Sequence, residues 1–279
     1  MGTMLQSGNR ALAVVALGLA LSLSGCSIKD DRTPCPARLD VDLSDVHTSS
    51  VTLTGIPLSL DAFPGRETSY PHIQESIERG GYSLRTYLVP KGTFHLGSYG
   101  IAGRGECRID LTSRNTRTLT IPLGEQMDSL FAESISLEIH SERTYHRLSL
   151  HKNFATLSIV FLGEEDGRGP FDVVLEGDIG GVDLQSLSPT EGEFRFKAVE
   201  GGKGYFARLP RQKDSSLVLR LYRDGEEVDS YPVGEYIQGS GYCWQSEDLS
   251  DIVLSIDRHH TSFSLGIVPW DIHRDDMVI

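Results

Sequence analysis

The chain has 279 residues, and 39 acidic against 26 basic side chains give a formal net charge of −13. Phosphate binding needs a positive surface, so nucleic acid is excluded as a partner. Hydrophobic residues at 39 %, with 10 Tyr and 10 Phe, suffice for a packed core, and beyond the N-terminal segment no apolar run reaches the roughly 20 residues of a membrane-crossing helix.

That N-terminal segment has the three parts of an export signal: charge at Arg10, an apolar run from Ala11 to Leu23, and small residues before Cys26. The run of about 13 residues is too short to cross about 30 Å of hydrocarbon as a helix. It ends in Leu23-Ser24-Gly25-Cys26, the pattern of a bacterial lipobox. Cleavage between Gly25 and Cys26, with acylation of Cys26, is the expectation, and two or more acyl chains give the stable anchoring that one does not. The alternative is an ordinary cleaved signal with a chance cysteine. Directly after it, Ser27-Ile28-Lys29-Asp30-Asp31-Arg32 resembles the lysine-plus-acids signal that sends lipoproteins of Bacteroidetes to the outer face of the outer membrane; a solvated tether is the other reading. From Cys26 to Leu39 the chain reaches at most about 45 Å, so the first folded domain is expected near the membrane.

The remainder reads as strands. Leu39-Asp40-Val41-Asp42-Leu43 alternates apolar and acidic residues at period two, the pattern of a strand with one wet face. Alternation recurs in Val51–Thr54, Tyr82–Leu88, Thr118–Ile121 and Ser134–Ile139, with turn signals at Pro90-Lys91-Gly92, Gly103-Arg104-Gly105 and Leu123-Gly124-Glu125. Short helices are expected at Pro71–Arg79, where Ile73 and Ile77 are four apart, and at Gln126–Glu133. A second strand set begins near Arg147: Thr156–Phe161, Phe171–Leu175, Phe194–Phe196, Leu217–Tyr222 and Phe263–Val268, with Asp224-Gly225 as a hairpin turn. Regular short strands punctuated by Gly and Pro predict an all-β fold of sandwiches. The length suits two domains. The expected limits are a signal peptide at 1–25, a lipidated tether at 26–36, and sandwiches at 37–145 and 146–279.

Once Cys26 is assigned to lipid, Cys35, Cys107 and Cys243 remain. If a disulfide forms, Cys35 with Cys107 is preferred because both fall in the N-terminal half; sequence does not fix connectivity. Neither a CxxC pair nor a cysteine–histidine spacing suited to zinc occurs, and no metal or cofactor is expected. Catalysis lacks a motif: there is no GxSxG, HExxH or GxxxxGK[ST], and Gly201-Gly202-Lys203-Gly204 reads as a turn. The chain is not expected to be an enzyme. Asp40, Asp42 and Asp45 read as a solvated strand face rather than a calcium site. His259, His260 and His273 with nearby aspartates read as surface loop, Asp128-Ser129-Leu130 as structure rather than a glycosylation signal, and Trp244 and Trp270 as packing residues rather than sugar platforms.

Several segments together carry a resemblance: Cys26–Arg32 followed by Cys35-Pro36, Ile121–Ala132, His151-Lys152-Asn153-Phe154-Ala155, Pro232-Val233-Gly234-Glu235-Tyr236-Ile237, and Gly241-Tyr242-Cys243-Trp244 followed by Asp248–Ile252. Spread over nearly the whole mature chain, they resemble FimB-like fimbrial anchor and minor-subunit lipoproteins of Bacteroidetes. The resemblance implies two tandem transthyretin-like β-sandwiches and a role in type V pili as a surface-exposed, outer-membrane lipoprotein whose partners are other fimbrial subunits. It also implies assembly by strand exchange, in which a neighbour's strand satisfies an exposed sheet edge. An anchor of that class keeps its N-terminus and lipid, and the run Phe263–Val268 is either a strand donated to the adjoining subunit or the last core strand. The alternative function is a surface glycan-binding or adhesin lipoprotein.

Overall fold

In a computed structural model of the chain, residues 35–58, 72–78, 80, 83–102, 107–111, 117–164, 169–257 and 262–269 are described. The strands begin with β1 (Ala37–Asp42), β2 (Ser50–Pro57), β3 (Ile73–Glu78), β4 (Leu84–Val89) and β5 (Gly92–Ala102). A hairpin of β6 (Arg108–Leu111) and β7 (Arg117–Thr120) precedes β8 (Ser129–Ile139), β9 (Arg143–Arg147) and β10 (His151–Lys152). Then come β11 (Phe154–Phe161), β12 (Asp172–Asp183), β13 (Pro189–Lys197), β14 (Val199–Glu200), β15 (Tyr205–Pro210), β16 (Val218–Arg223) and β17 (Glu226–Tyr231). A single helix among the described residues, α1 (Val233–Gly239), leads to β18 (Asp251–Asp257) and β19 (Ser262–Val268).

These strands form four sheets. A three-stranded sheet, β4-β1-β9, faces a five-stranded one, β10-β8-β5-β2-β3, across a core that includes Leu39, Val41, Leu53, Phe94 and Leu96. A second pair shares a core that includes Leu157, Ile159, Val173, Leu175, Leu219 and Leu254: β17-β16-β12-β7-β6, with β13 on β12, against β14-β15-β11-β18-β19. The expected all-β sandwich architecture is present. It follows from the period-two pattern: in β2, Val51 and Leu53 point inward and are buried, while Thr52 and Thr54 between them are partly exposed. Asp224 and Gly225, with φ of 54° and 85°, make the predicted tight turn between β16 and β17.

Two local expectations fail. Pro71–Arg79 contains β3, paired with β2 from Gly55↔Ile73 to Ser50↔Glu78, and not a helix. Ile73 and Ile77 are four apart, and four is also an even number, so both face the core from a strand as readily as from a helix. Gln126–Glu133 likewise is an irregular crossing that becomes β8 at Ser129. Here Met127 is fully buried and Arg208 Nε donates to its carbonyl at 2.8 Å, so tertiary contacts set the backbone.

The chain also passes between sandwiches more than once. β5 belongs to the first, yet the β6–β7 hairpin pairs with β12 of the second (Leu119↔Val182) before β8 returns to β5 over eleven residue pairs. At the β7–β12 crossing Gly181 packs so tightly that a Cβ would lie 2.0 Å from the Leu119 carbonyl oxygen. Gly181→Ala is therefore expected to separate the two strands and to destabilise the fold by about 1–3 kcal/mol or more, measured as a lower urea midpoint. Unchanged stability would show that this crossing is loosely held.

Candidate functional site

The outer face of the β4-β1-β9 sheet is set by its register. β1 pairs antiparallel with β4 and parallel with β9, which places Leu88, Arg38 and Arg143 in one row, Thr86, Asp40 and Tyr145 in the next, and Leu84, Asp42 and Arg147 in the third. Asp40 has no exposed surface, but its cover consists of surface side chains: Arg38, whose Nε donates at 3.0 Å, Thr86, whose hydroxyl donates at 2.6 Å, and Arg143. The Thr86 hydrogen bond, with Arg143 and Arg38, outweighs burial and holds the carboxyl down at about 2. Asp42 accepts from the Tyr145 hydroxyl, and Arg147 pairs with Asp45 at 2.6 Å. The acidic face expected to be solvated is thus an ionic lattice, flanked by Leu88 at 62 % and Tyr145 at 58 % exposure.

Sheet edges are the second feature. β19 pairs with β18 from Asp257↔Ser262 to Asp251↔Val268 and has no strand on its other side among the described residues. Leu265 packs against the core, while Ile267 and Val268 are exposed. Phe263–Val268 is therefore docked on its own sheet as an edge strand. β4 is likewise an edge among the described residues. Unpaired backbone groups along such edges are templates for another strand.

Between the sandwiches runs a seam of buried polar groups. Only Asn153 separates β10, in the first sandwich, from β11, in the second. Its amide donates to the His151 carbonyl at 2.8 Å, and its oxygen accepts from Arg211 Nε at 2.9 Å. Arg211 also donates to the carbonyls of Trp244 and Ser246 at 2.7 Å and of Glu247 at 2.8 Å. Burial pulls its guanidinium below the usual value, and burial lowers the Lys152 ammonium too, although Lys152 Nζ meets Asp251 at 2.5 Å. Asp248 accepts from the Lys152 backbone N–H at 2.7 Å and lies 3.0 Å from His151 Nδ1. Beside this seam opens a groove of about 700 Å³ lined by Ser134, Leu187, Arg211, Gln212, Lys213 and Trp244 among others. A smaller opening of about 480 Å³ adjoins it at Ser134 and Ser186 and reaches His95, whose buried Nε2 has no hydrogen-bond partner.

Of the residues singled out from sequence, Gly25, Cys26, Trp270, His259, His260 and His273 lie outside the described residues. Cys35 and Cys243 are exposed thiols, and Cys107 is half-buried. The Cys107 Sγ lies 3.8 Å from the Gln126 carbonyl, and burial pushes the thiol up to about 12. Asp128 is buried and accepts from the Cys107 backbone N–H at 2.9 Å, a structural role. Trp244 packs against Tyr242 with ring centroids 4.6 Å apart and keeps one side on the groove. Gly201–Gly204 is a turn between β14 and β15. Arg211 and Gln212 went unread; the signal was a polar pair directly after the apolar end of a strand, Leu209-Pro210.

No protein-family profile and no curated protein matches the chain. Solved structures do match it across most of its length. A protein from Bacteroides thetaiotaomicron proposed to bind polysaccharide aligns with a TM-score of 0.55 at 13 % identity, covering 80 % of this chain and 92 % of its own. A proposed adhesin from Bacteroides ovatus gives 0.54 at 12 %, with 87 % and 95 % covered. The fimbrial anchor protein Mfa2 from Porphyromonas gingivalis gives 0.52 at 12 %, with 86 % and 99 % covered. The chain shares the fold of these proteins. The resemblance read from its segments therefore points to the architecture that the structure has.

The Asp40 lattice generates a test. Because the folded carboxyl titrates near 2 rather than 3.8, its contribution is full above the unfolded value and is lost as pH falls through the folded one. Urea midpoints of the wild type are expected to drop between about pH 4 and 2, with Asp40→Asn flattening that part of the profile. Parallel profiles for the two chains would remove Asp40 as the cause.

Proposed function

We propose that the protein is a lipid-anchored, surface-exposed fimbrial subunit of the outer membrane, of anchor or accessory type, that works by binding other subunits through strand edges. The observation that carries this reading is the fold shared with a fimbrial anchor over nearly the whole of both chains. The lipobox ending in Cys26 and the short tether before β1 support the anchoring half, since acyl chains at Cys26 would hold the first sandwich within about 45 Å of the membrane. The edge of β19, unpaired among the described residues, supports the binding half, because main-chain pairing supplies affinity that depends little on side-chain identity. In this reading the two sandwiches are the domains, joined at Asn153, and no step of chemistry is required of them.

A glycan-binding adhesin is the second reading, favoured by the groove beside Trp244 and by the shared fold with a protein proposed to bind polysaccharide. Deleting the gene separates the two: long pili shed into the medium support an anchor, and pili of normal number and length with lost adhesion support the adhesin. For the anchoring half, Cys26→Ala is expected to move the protein from the membrane fraction to the soluble one, and retention in the outer membrane would sink it. Removing Ser262 onward is expected to abolish attachment of pili while the first sandwich stays folded; attachment at the wild-type level would take β19 out of the interface.

A further inference from the structure

We propose that Lys152 and Asp251 are the site of an intramolecular amide bond, formed between the lysine Nζ and the aspartate Cγ with loss of one water. The fold sets the pair. β11 and β18 run parallel as neighbours, in register from Leu157↔Ile252 to Phe161↔Ile256. Lys152 ends the strand before β11, and Asp251 opens β18. Lys152 Nζ meets Asp251 Oδ1 at 2.5 Å across 99 residues of chain.

Burial separates this contact from an ordinary ion pair. The Lys152 side chain is 1 % exposed, and its Nζ lies over the Phe154 ring, 4.9 Å from the centroid. Removal from water pulls the amine down by more than Asp251 and Asp248 together raise it, which favours the neutral, nucleophilic form. Lys197 meets Asp172 at the same 2.5 Å, but those side chains are 55 % and 57 % exposed and the pairing raises the amine. That exposed pair is expected to stay ionic. Two buried charges carry a desolvation cost that their attraction repays only with further hydrogen bonds; an amide carries neither charge.

The surroundings match the charges that amide formation creates. One proton passes from the ammonium to the carboxylate, and the amine then attacks Cγ. The attack puts negative charge on Oδ1, to which the Thr156 backbone N–H donates at 2.7 Å, and positive charge on the nitrogen, which Asp248 favours. Asp248 is held in place by the Lys152 backbone N–H at 2.7 Å and lies 3.0 Å from His151 Nδ1. A nitrogen proton then moves to the other, already protonated oxygen, whose bond to Cγ breaks. It leaves as water into solvent, to which the Asp251 side chain is 31 % exposed. In sum the ammonium gives up two protons and the carboxylate one oxygen, and nothing is oxidised or reduced. Groups held in such contact react with effective molarities of about 10⁵ M or more, which opposes hydrolysis of the bond. The inference is separate from the fimbrial assignment, which its failure would leave standing.

Tryptic digestion of the denatured full chain, read by mass spectrometry, tests the bond. The expected product is a branched species that joins peptides 148–168 and 224–258, lighter than the two together by one water and uncleaved after Lys152. Cleavage after Lys152, with the Asp251 peptide linear and unmodified, would overturn the proposal. A branched species joining Lys197 to Asp172 would overturn it too, because burial would then not be what selects the site. Lys152→Arg is expected to eliminate the branched species, and its persistence would place the bond on another residue. Should that variant fail to fold, the digest of the wild-type chain decides alone.

Discussion

The arrangement depends on how little chain separates the sandwiches. β10 lies in one, β11 lies in the other, and Asn153 alone stands between them. A one-residue connection cannot absorb a reorientation of its flanking strands unless the hydrogen bonds on both sides break. Those bonds are charge-assisted: Arg211 holds Asn153 and three carbonyls of the 244–247 segment, and Asp248 holds the Lys152 backbone. Hydrogen bonds to charged groups contribute about 1.5–3 kcal/mol each, and leaving a buried guanidinium without acceptors costs more than the bonds alone. The β6–β7 hairpin, threaded from the first sandwich into the sheet of the second, adds a second connection in parallel.

Segments distant in sequence meet at this junction. His151–Ala155, Gly241–Trp244 and Asp248–Ile252 were read as separate pieces of a family pattern, and the structure gathers them around Arg211 and Asp251. Thr156 donates its backbone N–H to Asp251 at 2.7 Å, the same carboxylate that meets Lys152. Their common demand is physical: a buried lysine and a buried arginine fix which residues surround them more strictly than an apolar core does, because volume alone satisfies the latter.

How much of this was legible follows from the nature of each signal. Period-two alternation identified β1, β2 and β8, since one face of each is wetter than the other, and it also located β4, although Leu84 and Leu88 there face solvent and only Val89 is buried. It misassigned β3, where two isoleucines four apart satisfy both periods. It passed over β5, a central strand whose Gly97, Ser98 and Gly100 break the apolar rhythm although the strand is buried along most of its length. The Asp40 lattice was half visible: the acidic alternation was plain, but the arginines that cover Asp40 come from positions 38 and 143, and a pairing across about a hundred residues leaves no local trace. The groove was invisible for the same reason, being assembled from β8, the β12–β13 turn and two later loops.

The position of β1 joins these observations to the proposed role. It is the first strand among the described residues and the central strand of its sheet, with Ala37, Leu39 and Val41 fully buried beneath and Asp40 tied to Arg38 and Arg143 above. A pull on the N-terminus along the strand would load its ladders to β4 and β9 in shear, so that the hydrogen bonds on both sides must yield together and not one at a time. An edge strand in the same place would peel. A lipoprotein held at Cys26 and loaded by a polymer at its far end would need its first strand where this one is, and the ionic cover on Asp40 adds a sideways lock that no apolar contact with solvent beside it would supply.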